Sequence, residues 1–311
     1  MNNGIFSKAF FLMKKAFSAF QKNDPFTLAG ALAYFTIFAI PPILVILISI
    51  VGYVAGQQTA QQELYSQIQV FWGEQGTKMV RTAAENYSIN EQGTWQKILA
   101  IGILVYSASS FFAVIQSSLN TIWEVRPKPE NSLLKMILNR ALSFSIILIL
   151  GALLVASLIL ESLLISIQGS FDQLLPGVSP ILFGILGYAI SFLLLVVVFA
   201  IIYKFLPDAI VKWRVVWTGA IITAFLFTVG RFAISFYLSQ SSMSDAFGVA
   251  GALILILLWI FYSALILFFG AEITQQYALY FGHDILPKAH AVKVKEQEIP
   301  REEILVNRNI R

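Results

Sequence analysis

The chain has no cysteine among its 311 residues. That excludes a disulfide framework, a thiolate nucleophile, a cysteine-held zinc site and an iron–sulfur cluster. Histidine is nearly as scarce: only His283 and His290 occur, both in the polar C-terminal stretch. Charge is thin as well, at 12% of residues, where soluble domains carry roughly 25%. A metal-dependent nuclease needs clustered Asp, Glu or His ligands in a solvated cleft. No such cluster can be drawn from this chain, and no catalytic, metal-binding or cofactor-binding residue is expected. No nucleic-acid partner is expected either: the net charge of +4 reads as a topology signal, whereas a nucleic-acid footprint would need those charges on one folded face. The apolar run Ala9 to Met13 is too short for a cleavable signal peptide and is followed by Lys14 and Lys15.

Hydrophobic residues make up 58% of the chain. The stretch Phe247 to Ala271 carries no charged residue at all. At about 1.5 Å per residue it is long enough to cross a hydrocarbon core of about 30 Å. Five other stretches read alike, over about 26–53, 95–123, 141–165, 180–203 and 215–238. The expected fold is therefore all-α, a polytopic membrane protein with six transmembrane helices. Its core is placed at residues 25–280. Residues 54–94, polar and Gln-rich, are expected as an extracytoplasmic helical cap, divided by Gly73 and Gly76 into two short helices. Residues 281–311 are expected as a flexible polar cytoplasmic tail.

The basic residues orient the chain. Placing both termini inside puts four before the first span (Lys8, Lys14, Lys15, Lys22) on the cytoplasmic side. Four more follow the second (Arg126, Lys128, Lys135, Arg140), three follow the fourth (Lys204, Lys212, Arg214), and six lie in the tail. Seventeen of the 21 thus lie inside, as the positive-inside rule requires.

Residues 1–24 are read as a basic amphipathic segment. Phe6, Phe10, Met13, Phe17 and Phe20 share one helical face, with Lys8, Lys15 and Lys22 opposite. That is the pattern of a helix lying in the headgroup plane against anionic lipid, the alternative being one packed on a cytoplasmic partner. Asp24-Pro25 is read as an N-cap followed by proline at the first helical position.

Polar groups inside the spans are the candidate site. Pro41 and Pro42 leave the carbonyls of Ile37 and Phe38 without helical donors, so a bend of more than about 20° is expected there, structural or hinge-like. Span 2, bracketed by Trp95 and Trp123 as interface anchors, carries Ser107, Ser110, Gln116 and Asn120. These either bind helices together or line a pathway. Arg231 in span 5 shares a face with Thr228 and Ser235. It is either a snorkelling or ion-paired arginine, or a contact for an anionic group, with Glu161 and Asp245 as candidate partners.

Four stretches carry a resemblance: AGALAYFTIFAIPPILVILIS, SLNTIWEV, YKFLPD and FGVAGALILILLWIFYSALILFFGAEI. In this order and spacing across residues 26–280 the chain resembles the YihY/BrkB family of bacterial inner-membrane proteins. The resemblance implies a six-helix plasma-membrane protein linked to envelope robustness and serum resistance, with transport or lipid handling suggested. It also carries a ribonuclease label, which the residues argue against. The expected function is transport of a lipid, an anionic solute or another small solute, the alternative being a non-transporting envelope scaffold. Membrane lipids are the expected partners, and an oligomer is compatible with the sequence.

Overall fold

A computed structural model describes residues 5–86, 94–128, 132–172, 179–240 and 243–294. Eight helices dominate: α1 (Ile5–Lys22), α2 (Pro25–Ala55), α3 (Gln57–Asn86), α4 (Thr94–Ile122), α5 (Ser132–Asp172), α6 (Ser179–Phe205), α7 (Trp213–Gln240) and α8 (Met243–Tyr280). Among the described residues, five of them (α2, α5, α6, α7, α8) are long and apolar enough to cross a membrane. The sixth expected span, α4, is 29 residues long and is not one of the five. Its polar residues Ser109, Gln116, Ser118 and Asn120 are all buried against protein.

Four short strands qualify the all-α expectation: β1 (Val125–Pro127), β2 (Ala209–Ile210), β3 (Leu286–Pro287) and β4 (Ala291–Lys293). They form two antiparallel pairs, β1 with β4 and β2 with β3. Val125 faces Lys293 in one pair and Ala209 faces Pro287 in the other. The tail is therefore not loose up to residue 294, contrary to expectation. Ile285 and Ala291 are buried. The amides of Lys288 and Val294 donate to the carbonyls of Asp208 (2.9 Å) and Glu124 (2.8 Å). Apolar residues spaced through a polar stretch supply the anchoring that charge content alone concealed. These pairings gather the ends of α4, α6 and α8 on one face of the bundle. Residues 295–311 lie outside the described residues.

The core joins α2, α4, α5, α6, α7 and α8. Trp123, expected as an interface anchor, is instead 0% exposed. Its indole N–H donates to the carbonyl of Ala271 at 3.2 Å, and with its one donor satisfied the ring is free to bury. Between α7 and α8 two glycines permit a reciprocal lock. A Cβ at Gly270 of α8 would lie 1.9 Å from Thr223 Oγ1, and one at Gly219 of α7 would lie 1.8 Å from Thr274 Oγ1. Each threonine hydroxyl donates to its own helix, Thr223 to Gly219 O and Thr274 to Gly270 O, both at 2.7 Å.

Helix α2 runs unbroken from Pro25 to Ala55 with Pro41 and Pro42 inside it. Asp24 precedes it at φ 47 and makes no side-chain cap, so only the proline part of the expected start is realised. The expected division of the cap at Gly73 and Gly76 is recorded as one helical run, α3. It nonetheless folds back on itself. The Arg81 guanidinium lies 4.7 Å from the Tyr65 ring centre, although 16 residues of straight helix would separate them by about 24 Å.

Candidate functional site: a polar pocket beside α1

The polar side chains of the bundle converge where the strands lie. Gln116 and Asn120 stand four residues apart on α4, so both face the loop that follows α6. There Asp208, only 3% exposed, accepts from Gln116 Nε2 at 3.2 Å and from Asn120 Nδ2 at 2.9 Å. Its own amide donates to Asn120 Oδ1 at 2.8 Å, and His290 Nε2 lies 2.9 Å from Asp208 Oδ1. One carboxylate thus ties α4, the α6–β2 turn and the tail together. Its oxygens are occupied, which makes it a structural tie rather than a free acid or base. Nearby, burial holds the Lys288 ammonium below the usual lysine range, with the Asp208 charge offsetting part of that. Lys288 Nζ also donates to the carbonyl of Phe205 at 3.3 Å.

A second acidic residue sits one helix away. Glu272 of α8 is 0% exposed. Its Oε1 accepts a hydrogen bond from the Asn23 side chain, just past the end of α1. Its Oε2 has no hydrogen-bond partner among the described residues. This contact, with Phe20 edge-on to Phe269 at 5.2 Å, holds α1 against α8. Phe10, Met13 and Phe17 on the same helix remain exposed. The Phe6 side chain lies outside the described residues.

Above these residues opens a pocket of about 310 Å³ between α1, α4, β1 and α8. Lys22 lines it from α1 and Asn23 from just past its end, Asn120 and Glu124 from α4 and its end, Arg126 from β1, and Gln275 with Gln276 from α8. The chain reaches β1 through Glu124 in a left-handed conformation, φ 53. Glu124 is met from the far side by Lys293 Nζ at 3.6 Å. The lining therefore offers two exposed cations, one carboxylate already facing a lysine, and several side-chain amides. Such a set suits a phosphate or other anion with hydrogen-bonding neighbours.

Of the expected site residues, Gln116 and Asn120 come together at Asp208, and Asn120 also lines the pocket. Ser107 is half-buried on α4, and Ser110 donates to the backbone of Tyr106 at 2.8 Å. Thr228 bonds its own helix, at Ala224 O. Arg231 is half-buried and lies 18 residues into α7, about 27 Å along the helix from the strand-bearing face, well away from the pocket. The side chains of Ser235, Glu161 and Asp245 lie outside the described residues, so the expected pairs with Arg231 are not among the described contacts. Pro41 and Pro42 pass through the middle of α2. Asp208 and Glu272 escaped the sequence reading as site residues. The signal was present in each: one acidic side chain set within an apolar motif, YKFLPD and FFGAEI.

A profile described as Virulence factor BrkB matches residues 16–293. The chain belongs to that family. Relatives carry the description UPF0761 membrane protein. One from Pseudoalteromonas translucida is 23% identical over 249 residues, covering 79% of each chain. Another from Haemophilus influenzae is 28% identical over 262 residues, covering 82% of this chain and 91% of the relative. One from Ralstonia nicotianae is 27% identical over 199 residues, 63% of this chain but only 42% of the longer relative. No solved structure matches. The match runs from within α1 to β4, so all the pocket lining but Val294, the last turns of α1 and the strand pairs fall inside the family's own segment.

Proposed function

We propose that this protein is a plasma-membrane transporter that takes lipids or anionic solutes by their phosphate or carboxylate groups at the pocket beside α1. The observation that carries the reading is the pocket's make-up. Lys22 and Arg126 stand at a cavity walled by side-chain amides, and it adjoins a helix whose Phe10, Met13 and Phe17 are uncovered. An amphipathic helix with free aromatics and a lysine face belongs at the headgroup layer. Its far end would then deliver lipid headgroups to the pocket. In this reading α4 is the sixth span, since its 29 residues reach about 43 Å. Both termini are cytoplasmic, where the basic residues gather, and α3 caps the opposite side. Arg231 serves the outer half of the bundle, through packing or as a second anion contact. No enzymatic step, ribonuclease cleavage included, is part of the proposal.

A scaffold without transport is the second reading, and one observation favours it. The hydroxyls of Thr36, Ser49, Thr223, Ser263 and Thr274 all bond carbonyls of their own helices, so they are satisfied without a wet path beside them. The two readings separate in proteoliposomes. Fluorescent acyl-labelled phosphatidylglycerol in the inner leaflet should become accessible to an impermeant quencher faster with the protein than in protein-free vesicles. Equal rates would leave the scaffold.

A further inference from the structure

We infer that the pocket selects a phosphate-bearing headgroup that also carries a primary ammonium, an aminophospholipid such as phosphatidylethanolamine. This rests on the lipid-handling reading above and names the substrate class within it. Gln275, Gln276 and Leu279 of α8 line the pocket, and Glu272 precedes them by three, four and seven residues. On a helix those offsets define one face, so Glu272 lies one turn deeper on the α8 face that bears the lining residues, behind the lining itself. Between them stands Asn23, which lines the pocket and donates to Glu272 Oε1.

The unused oxygen is the second, independent observation. Glu272 is 0% exposed and its Oε2 has no hydrogen-bond partner among the described residues. A carboxylate accepts at about four lone-pair positions, and leaving them empty in a buried place is costly. An ammonium with three N–H donors would complete that oxygen, entering as the Asn23 amide turns aside. Lys22 and Arg126 would take the phosphate at the rim. Glu124 is less suited to the amine, because Lys293 already faces it at 3.6 Å. A purely anionic headgroup would satisfy the rim and leave Glu272 as it is. A quaternary ammonium brings charge but no N–H, so phosphatidylcholine is the informative comparison.

The test is native mass spectrometry of the full-length, detergent-solubilised protein titrated separately with dioleoyl phosphatidylethanolamine, phosphatidylglycerol and phosphatidylcholine. The ethanolamine lipid should be retained about tenfold better than the choline lipid, the worth of one charge-assisted hydrogen bond. Glu272→Gln should erase that ratio while leaving phosphatidylglycerol retention unchanged. Asn23→Ala, which removes the resting donor, should raise the ratio, and it keeps the proposal open to refutation if Glu272→Gln fails to fold. Competition with glycerophosphoethanolamine distinguishes the source: displacement assigns the site to the soluble headgroup, persistence of the lipid assigns it to the membrane form. Equal retention of the two lipids by the wild type, or a ratio unmoved by both variants, would overturn the inference. Failure to retain any phospholipid would overturn the lipid-handling reading beneath it.

Discussion

The α7–α8 lock makes a sharp prediction for Gly270→Ala. The new methyl would be placed 1.9 Å from Thr223 Oγ1 and 2.6 Å from Tyr203 Oη. Contacts between such atoms normally stop near 3.4 Å, so about 1.5 Å of movement is needed. Thr223 cannot rotate away freely. Its hydroxyl donates to Gly219 O at 2.7 Å and lies 2.9 Å from Tyr203 Oη, which itself donates to Leu267 O at 2.7 Å. Overpacking of a buried seam costs about 1–3 kcal/mol, and each lost hydrogen bond adds about 1 kcal/mol. Exchanging glycine for alanine inside a helix returns about 0.5–1 kcal/mol. The net expectation is a destabilisation of about 2–4 kcal/mol, read as a lower thermal midpoint in detergent. Gly184→Ala is the internal control, because a Cβ there meets nothing within 4 Å. It should be neutral or slightly stabilising. Adding Thr223→Ala to Gly270→Ala should recover part of the loss, a coupling of about 1 kcal/mol or more. A midpoint for Gly270→Ala at or above wild type would refute the lock.

Three further outcomes are expected. Asp208→Asn sets an amide N–H₂ against the donors of Gln116, Asn120 and His290. It should cost about 1–3 kcal/mol and speed proteolysis of the tail before residue 294; unchanged protection would mean the tail is held by its strands alone. Lys288 is held below its usual pKa by burial, so the unfolded chain binds that proton more readily than the folded one. Stability should therefore rise as pH climbs through the depressed value towards 10.5, and Lys288→Met should flatten that slope in thermal scans; parallel wild-type and variant profiles would contradict this. For the isolated α1 peptide, each lysine near an anionic surface contributes about 1 kcal/mol. Replacing Lys8, Lys15 and Lys22 by Glu should then weaken binding to phosphatidylglycerol vesicles by about a hundredfold or more, and equal binding would remove the electrostatic attraction.

What was legible in the sequence was what depends on local pattern. The charge-free run Phe247–Ala271 sits inside α8, and Pro25 opens α2. Gly73 and Gly76 fall between the arms of α3 that meet at Tyr65 and Arg81. Polarity in α4 pointed correctly to contacts within protein, since Gln116 and Asn120 are buried. What those residues contact was not legible, because Asp208 lies 92 and 88 positions away and His290 a further 82 beyond it. Periodicity carries no information about such pairings. The tail misled for the same reason. Its strands are two and three residues long, too short for alternation to register, and they exist only because β1 and β2 are there to pair with. Trp123 misled through an average: tryptophans favour interfaces because the indole N–H wants a partner, and here Ala271 supplies one inside. Glu272 was visible only as the first charge after a span. Its significance lies in Asn23, 249 residues earlier.

The claim that the pocket beside α1 holds a phospholipid headgroup is tested most directly by photo-crosslinking. A phospholipid with a diazirine in its headgroup would be irradiated with the full-length protein in bilayers, and the adducts mapped by peptide mass spectrometry. The account predicts adducts concentrated on the pocket walls, in Asn120–Arg126 and Gln275–Leu279, and their loss when Lys22 and Arg126 are both changed to Gln. Adducts spread evenly over the other helix ends, with the same yield in the double variant, would contradict it.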